Sequence, residues 1–366
     1  MTENKDQENS KNFKDQFGKF LTKAFRISTG GTISSEKKEL LFERIIDSTN
    51  QRKDDARKLS AIWLKYAAVF IGLLLVAGST YFSLYPPSDG LNFSRMLGEL
   101  NLEDFDQAQL IINDEESILL EGEASVIDYQ NAAVVVNEKE ATSSKLGEYN
   151  TLIIPYGKRS QVSLPDGSKV YLNSGSKMVY PTAFASNRHI YLEGEAYFEV
   201  FKDEANPFTV KTKDLNYRVL GTSFNVNAYD NNDFSMAVLV TGSIEVKPER
   251  ASFFKSDKKI LKPNQQLNWS KDEKTFEVNE VNVEPYVSWK DGYLIFEEQS
   301  IKEISKRLEK LYNVEILIKS KLLEKETFTG RLDLKTDIEQ VLGTIASTSG
   351  VSISKKGRRY EFTKGI

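Results

Sequence analysis

The chain has 366 residues, with 49 Lys and Arg against 53 Asp and Glu, 40% hydrophobic residues, no Cys and a single His, His189. Without a thiol there is no disulfide framework, zinc finger or Cys-His dyad; one imidazole builds no multi-histidine metal site, and a Ser-His-Asp triad would have to use His189. At roughly 100–200 residues per domain the length allows two or three domains, each large enough to bury a core.

The charge is unevenly spread. Residues 1–65 carry 14 basic and 10 acidic residues, whereas residues 85–150 carry 3 basic (Arg95, Lys139, Lys145) and 14 acidic. Within residues 1–65, Phe13, Phe17, Phe20, Leu21 and Ala24 recur at helical spacing, and Leu40, Leu41, Ile45 and Ile46 form a second apolar run after a Ser/Thr/Gly-rich break. Two short amphipathic helices cannot enclose a core, so they fold on a partner or lie on a lipid surface.

Between the two charged stretches, Tyr66 to Leu84 is a run of 19 residues without a charge. At about 1.5 Å rise per residue it matches a hydrocarbon core of roughly 30 Å. Tyr66 stands at one end, Tyr81 and Tyr85 at the other, and Pro86-Pro87 ends the helix. Arg52, Lys53, Arg57, Lys58 and Lys65 precede the run and only Arg95 follows closely, which predicts a single membrane span with a cytoplasmic N-terminus. A short segment inside and about 280 residues outside suit signal transfer across the membrane.

Residues 85–149 read as an acidic β-rich spacer. Its segment Ile111 to Ile127 echoes a stretch about 52 residues later, with Ile112, Asp114, Ile118 and Leu120 against Leu164, Asp166, Val170 and Leu172. This is the pattern of a strand-turn-strand repeat stacked in one body. From Asn150 to Asn268 short apolar runs alternate with turn signals at Asp166-Gly167, Asn173-Ser174-Gly175, Asn231-Asn232 and Pro263-Asn264. The expectation is an all-β domain over 150–285, a sandwich or roll with solenoid-like stacking as the variant. From Tyr293 the pattern changes: strand Leu294–Glu298, a helix opened by the capping box Ser300 to Glu303, and strand Val314–Ile318. A second round has strand Thr327–Leu332, a box at Thr336 to Glu339, the apolar face Ile338, Val341, Leu342 and Ile345, and strand Val351–Ser354. Two βαβ units predict a small α/β domain over 286–366, a folding module or one that binds another chain at a sheet edge.

Most side chains have structural readings. Asp166-Gly167 and Asn173-Ser174-Gly175 are expected to be hairpin turns, and Tyr197, Phe198, Val200, Phe208 and Val210 core residues of strands. Glu193 and Glu195, two apart on a strand, would share a face, as a hydrogen-bonded or solvated pair rather than an acid/base pair. His189 is expected to be structural. No catalytic residue acting on a separate substrate, metal ligand or cofactor site is predicted.

The chain resembles the FecR-like family of transmembrane anti-sigma factors over Asn150 to Phe362. The resemblance rests on IPYGKRSQVSLPDGSKVYLNSGSKMVYP (Ile154 to Pro181), HIYLEGEAYFEV (His189 to Val200), NPFTV (Asn206 to Val210), VLGTSFNVNAY (Val219 to Tyr229), VTGSIEV (Val240 to Val246) and LKPNQQL (Leu261 to Leu267), in the family's order. The tail from Leu294 is similar to the short signalling domain of secretins and TonB-dependent transducers. The resemblance implies a protein of the inner membrane with a periplasmic C-terminus, touched by a TonB-dependent outer-membrane transducer and acting through an extracytoplasmic-function sigma factor, with no direct nucleic-acid contact. It also implies that Gly221-Thr222 is a candidate self-cleavage site, where the Thr hydroxyl attacks the preceding carbonyl; a bulge at Gly221 beside an ordinary strand is the alternative. Residues 1–65 match the family's helical anti-sigma bundle poorly, which motivates a rival reading: a membrane-anchored periplasmic binding or scaffold protein without a sigma-factor partner.

Overall fold

A computed structural model describes residues 16–20, 22–23, 26, 34–41, 43–44, 47, 66 and 70–80, and then 100–113, 116–120, 126–130, 133–136, 139–141, 148–184, 187–249 and 258–364. The chain divides into two units, Met1–Ser88 and Asp89–Ile366. In the first, the described residues at 16–26 and at 35–47 are helical, with Phe20, Leu40 and Leu41 exposed. Residues 70–80 are helical too, and Phe70, Ile71, Leu73, Leu74, Leu75 and Val76 are all exposed, an apolar surface on every side. Among the described residues no helix is long and apolar enough to cross a membrane. The remainder of the predicted span, 67–69 and 81–84, lies outside the described residues.

The second unit begins with a body of two stacked sheets. In spatial order the first sheet holds Glu116–Leu119, Gln109–Asn113, Tyr149–Ile154, Ser176–Pro181, the first half of His189–Glu199, Phe208–Lys211, Leu215–Val219, Ile244–Pro248 and Lys259–Leu261. The second holds Lys139–Ala141, Ala133–Val136, Val126–Gln130, Ser160–Ser163, Lys169–Leu172, the second half of His189–Glu199, Ser223–Ala228, Phe234–Thr241, Gln265–Ser270 and Thr275–Glu280. From Tyr149 onward the chain visits the sheets in turn, usually two strands at a time, so the sandwich is laid down coil by coil. One apolar core joins them, and Phe198 of the second sheet meets Phe208 of the first with ring centroids 6.2 Å apart. The acidic stretch is part of this body, because Gln109–Asn113 pairs with Tyr149–Ile154 and Val126–Gln130 with Ser160–Ser163. The expected repeat appears as two hairpins, one in each sheet.

His189–Glu199 belongs to both sheets and changes over at Gly194. Tyr191 to Glu193 pair with Lys177 to Val179, while Gly194 to Glu199 pair with Ser223 to Ala228. Gly194 has φ +111°, and a Cβ there would lie 2.6 Å from the Ser176 Cα, so both the conformation and the close approach require glycine.

The C-terminal module has the expected order of elements with different partners. Tyr293–Ser300 pairs antiparallel with Thr327–Asp333; Glu315–Ile318 pairs in parallel with Arg359–Lys364, which pairs antiparallel with Val351–Lys356. Each predicted βαβ unit therefore sends its two strands to different sheets. The helices Ile301–Tyr312 and Ile338–Ser349 bury Ile301, Ile304 and Leu308 and Ile338, Val341, Leu342 and Ile345 in one shared core, so neither half closes on itself. Ser300 and Glu303 form the expected capping box, but the second helix is capped one residue later, where Gln340 N–H donates to the Asp337 carboxylate at 2.8 Å.

Because a methyl group at position 194 meets backbone of the neighbouring strand, Gly194→Ala is expected to destabilise the body by about 3 kcal/mol or more. Thermal unfolding of the full chain in detergent micelles, followed by circular dichroism, measures this; an unchanged midpoint would show that the corner tolerates a side chain.

Candidate functional site

The change of sheet separates the two carboxylates that the sequence placed on one face. Glu193 turns to Lys177, 3.2 Å away, while Glu195 points into the body, 7% exposed. There it accepts from Asn173 Nδ2 at 2.7 Å and Asn225 Nδ2 at 2.9 Å, which occupies both its oxygens. Asn173-Ser174-Gly175 is consequently not a hairpin turn. It is the corner by which the chain leaves Lys169–Leu172 in one sheet and enters Ser176–Pro181 in the other. Gly175, at φ +74°, lies under the Tyr156 ring, where a Cβ would be 2.4 Å from a ring carbon. Asp166-Gly167 does form the expected hairpin, between Ser160–Ser163 and Lys169–Leu172.

This buried polar corner is also where the C-terminal module docks. Trp289, in the short helical connector, is 1% exposed; its indole N–H donates to Asn225 Oδ1 at 3.3 Å and its carbonyl accepts from Arg159 at 3.0 Å. Gly157 N–H donates both to Ser174 Oγ at 2.6 Å and to the Lys310 carbonyl at 3.0 Å. Tyr229 OH donates to the Ser174 carbonyl at 2.6 Å, and the Lys310 ammonium sits 3.5 Å from the Tyr229 ring centroid while donating to Asn232 Oδ1 at 3.3 Å. Tyr197 of the body is buried in the core of the module, and Lys290 lies 5.2 Å from the Tyr197 ring and 5.7 Å from that of Tyr171. Beside this seam, Leu102, Phe105, Pro155, Tyr156, Asn313 and Arg358 line part of a groove of about 400 Å³.

Electrostatics follow the burial. Loss of water pulls the Lys310 ammonium down to about 8 and lowers the Arg307 guanidinium; for both, the strongest opposing pull is the Glu195 charge. Burial, then the Glu195 charge, push the Tyr229 phenol well up.

A second cluster organises the loops near Gly221. Arg188, 4% exposed, pairs with Asp166 at 2.7 Å and donates to the carbonyls of Asn206 at 2.6 Å and Phe201 at 2.8 Å. Asp166 also accepts from Ser168 N–H at 2.9 Å and Ser168 Oγ at 2.8 Å. Gly221 has φ +154° and packs so closely on Lys202 that a Cβ would be 2.7 Å from its Cα. Thr222, 3% exposed, donates its hydroxyl to the Ser243 carbonyl at 3.1 Å, and a Cβ on Gly242 would be 2.7 Å from that hydroxyl. Thr222 lies immediately before the strand Ser223–Ala228, and Gly221 breaks the path from Leu215–Val219 into it. His189 is half-buried beside Asn187, and burial followed by the Lys211 charge lowers its pKa.

The sequence singles out Glu195, Gly221 and Thr222 but not Arg188, Asn225, Tyr229, Trp289 or Lys310. Their partners lie far along the chain, Trp289 and Asn225 being 64 residues apart, so spacing carries no sign of them.

Lys310 gives the seam a pH dependence. When docked, its ammonium releases its proton at about 8, below the ordinary 10.5 that it regains in water. Between those values the docked form binds fewer protons, so docking strengthens as pH rises through the window, and below it the full cost of the desolvated charge applies. Denaturant unfolding of the module should therefore shift to higher denaturant between about pH 8 and about pH 9.5, and the shift should vanish in Lys310→Met.

Comparison with known proteins follows the same division of the chain. The family description "FecR protein" matches residues 150–245, and "FecR, C-terminal" matches residues 293–362. Two crystal structures of a "putative anti-sigma factor" from Parabacteroides distasonis ATCC 8503, at 1.65 and 2.50 Å resolution, are each 31% identical to this chain with a TM-score of 0.52. The matches cover 59% and 60% of this chain and 99% and 100% of those structures. No curated protein matches the chain. With both domain patterns present in order, and a relative at this identity matched over nearly its whole length, the chain belongs to the FecR family.

Proposed function

We propose that the protein is a single-pass inner-membrane anti-sigma factor that relays a signal from a TonB-dependent outer-membrane transducer to an extracytoplasmic-function sigma factor. The observation that carries this reading is family membership joined to the layout of the chain: a basic, helical N-terminal segment, an uncharged run of 19 residues, and an outer part that matches both FecR patterns. The anti-sigma description of the Parabacteroides distasonis structures supports the same role. The apolar surface around the helix at 70–80 supports a membrane span at Tyr66 to Leu84, because such a face gains nothing from water. Two short helices with exposed Phe20, Leu40 and Leu41 suit a segment that completes its fold on a partner.

The protein acts in this reading by contact, and the one covalent step assigned to it is on itself. The Thr222 hydroxyl oxygen bonds to the Gly221 carbonyl carbon, the Gly221–Thr222 amide C–N bond breaks, and the hydroxyl proton passes to the freed amine. Water then opens the ester to leave a Gly221 carboxylate and the Thr222 hydroxyl. The buried hydroxyl beside an abnormal glycine backbone supports the assignment, since a held nucleophile has a high effective molarity.

Affinity purification of the full chain from cells that co-express an extracytoplasmic-function sigma factor of the same genome should retain that factor, and removal of residues 1–65 should abolish retention. If every such sigma factor fails to bind, the scaffold reading takes its place. Alkaline phosphatase fused after residue 100 is expected to be active, and the same fusion after residue 50 inactive; the reverse pattern rejects the topology. On an immunoblot with a C-terminal tag, the unmodified chain should yield a fragment beginning at Thr222 that is missing from Thr222→Ala. A full-length band alone in both confines Gly221 and Thr222 to a structural role.

A further inference from the structure

The first sheet of the body ends in two strands of unlike charge. Glu116–Leu119 closes one side and Lys259–Leu261 the other, and among the described residues no further strand pairs with the outer side of either. Lys258, Lys259 and Lys262 are exposed, and the segment from Lys258 to Lys262 holds no carboxylate. Glu245 of the neighbouring strand pairs with Lys258 at 3.0 Å and with Lys247 at 2.6 Å, whereas Lys259 and Lys262 make no ion pair among the described residues. At the opposite side, the chain from Asp114 to Glu123 carries five carboxylates and no cation. Each end strand also turns one large apolar side chain to water, Leu119 being 53% and Ile260 59% exposed. Both stand on the outer face of the sheet, because their neighbours Ile118 and Leu261 pack on the core.

We propose that these two edges pair between copies of this chain: Lys259–Leu261 of one molecule adds to Glu116–Leu119 of the next, and the first sheet continues from body to body. Strand direction suits the joint. Of the eight joints within this sheet seven are antiparallel and one, between His189–Glu199 and Phe208–Lys211, is parallel. Seven reversals leave the two end strands running in opposite directions, so a second copy laid beside the first in the same orientation meets it antiparallel. Backbone groups at the two edges then serve each other, Leu119 packs beside Ile260 on the outer face, and the half-buried Ile118 gains cover. Charge selects the partner. The lysine edge repels a second lysine edge and the carboxylate-rich stretch repels its own kind, while each attracts the other. Two unlike edges make a head-to-tail contact, which builds an open row of copies and not a closed pair. With three or four residues a side the joint is weak, and it suits chains concentrated on one surface. The inference does not depend on the sigma-factor reading.

The chain has no Cys, so single introduced thiols report the contact in the full-length protein. Leu119→Cys and Ile260→Cys chains, mixed in detergent micelles, are treated with a short bis-maleimide. The control mixes Ile260→Cys with Glu277→Cys, an exposed position on the end strand of the second sheet. The first mixture should yield about fivefold more cross-linked dimer than the control. Leu119→Cys or Ile260→Cys alone should not exceed the control, and a chain carrying both should give a ladder of trimers and longer species. Lys259→Glu with Lys262→Glu on the Ile260→Cys chain should cut the dimer about fivefold. The same pair of substitutions on the Leu119→Cys chain should leave the yield unchanged, because that copy presents its other edge, and the retained yield shows that the altered body is folded. The proposal is overturned if the mixture does not exceed the control, if either variant alone traps as much as the mixture, if the double variant stops at the dimer, or if the charge reversal acts equally on both partners.

Discussion

The crossing of one strand between two sheets at Gly194 is the constraint on which the unit Asp89–Ile366 depends. An eleven-residue strand serving one sheet would put Glu193 and Glu195 on one face. The left-handed turn at Gly194 instead rotates the strand, so that its first half closes one layer and its second half opens the other. The two sheets are thereby tied covalently at mid-strand, and Phe198 can meet Phe208 across the core. Everything that follows in the chain is placed by that crossing, including the wall on which the C-terminal module sits.

The crossing also places a carboxylate where an apolar side chain would ordinarily stand. Glu195 is tolerated because two Asn amides satisfy its oxygens, and the helix Ile301–Tyr312 packs over the same corner. The pieces of the segment Ile154 to Pro181 thus have a joint purpose. Gly157 and Ser174 receive the end of that helix, Asn173 holds Glu195, and Gly175 makes room for Tyr156. The two matched family segments are neighbours through this seam and not merely along the chain.

The Arg188 cluster solves a different problem. Two loops converge on Arg188: the turn at Asp166, which brings a carboxylate, and the connection from Phe201 to Asn206, which brings two carbonyls that need donors. A single guanidinium with five donors serves Asp166, Asn206 and Phe201 at once, which is the geometry that arginine supplies and lysine does not. The segment carrying Gly221 and Thr222 packs against Lys202, next to Phe201 within the loop so fixed.

Hydropathy and charge alone determined the division of this protein into a basic helical segment, an uncharged run, and a longer strand-rich part, acidic at its start and ending in an α/β module, because period, turn residues and capping boxes are local. The capping box at Ser300 and the hairpin at Asp166-Gly167 are of that kind. Tertiary structure alone decided which strands pair, that Asn173-Ser174-Gly175 is a corner between sheets, that the carboxylates of Glu193 and Glu195 part company, and that Glu195, Trp289, Tyr229 and Lys310 meet. The physical reason is common to all four. Each depends on a close approach or a shared charge between segments distant in the chain, and a one-dimensional pattern records which residues avoid water without recording which of them avoid it together.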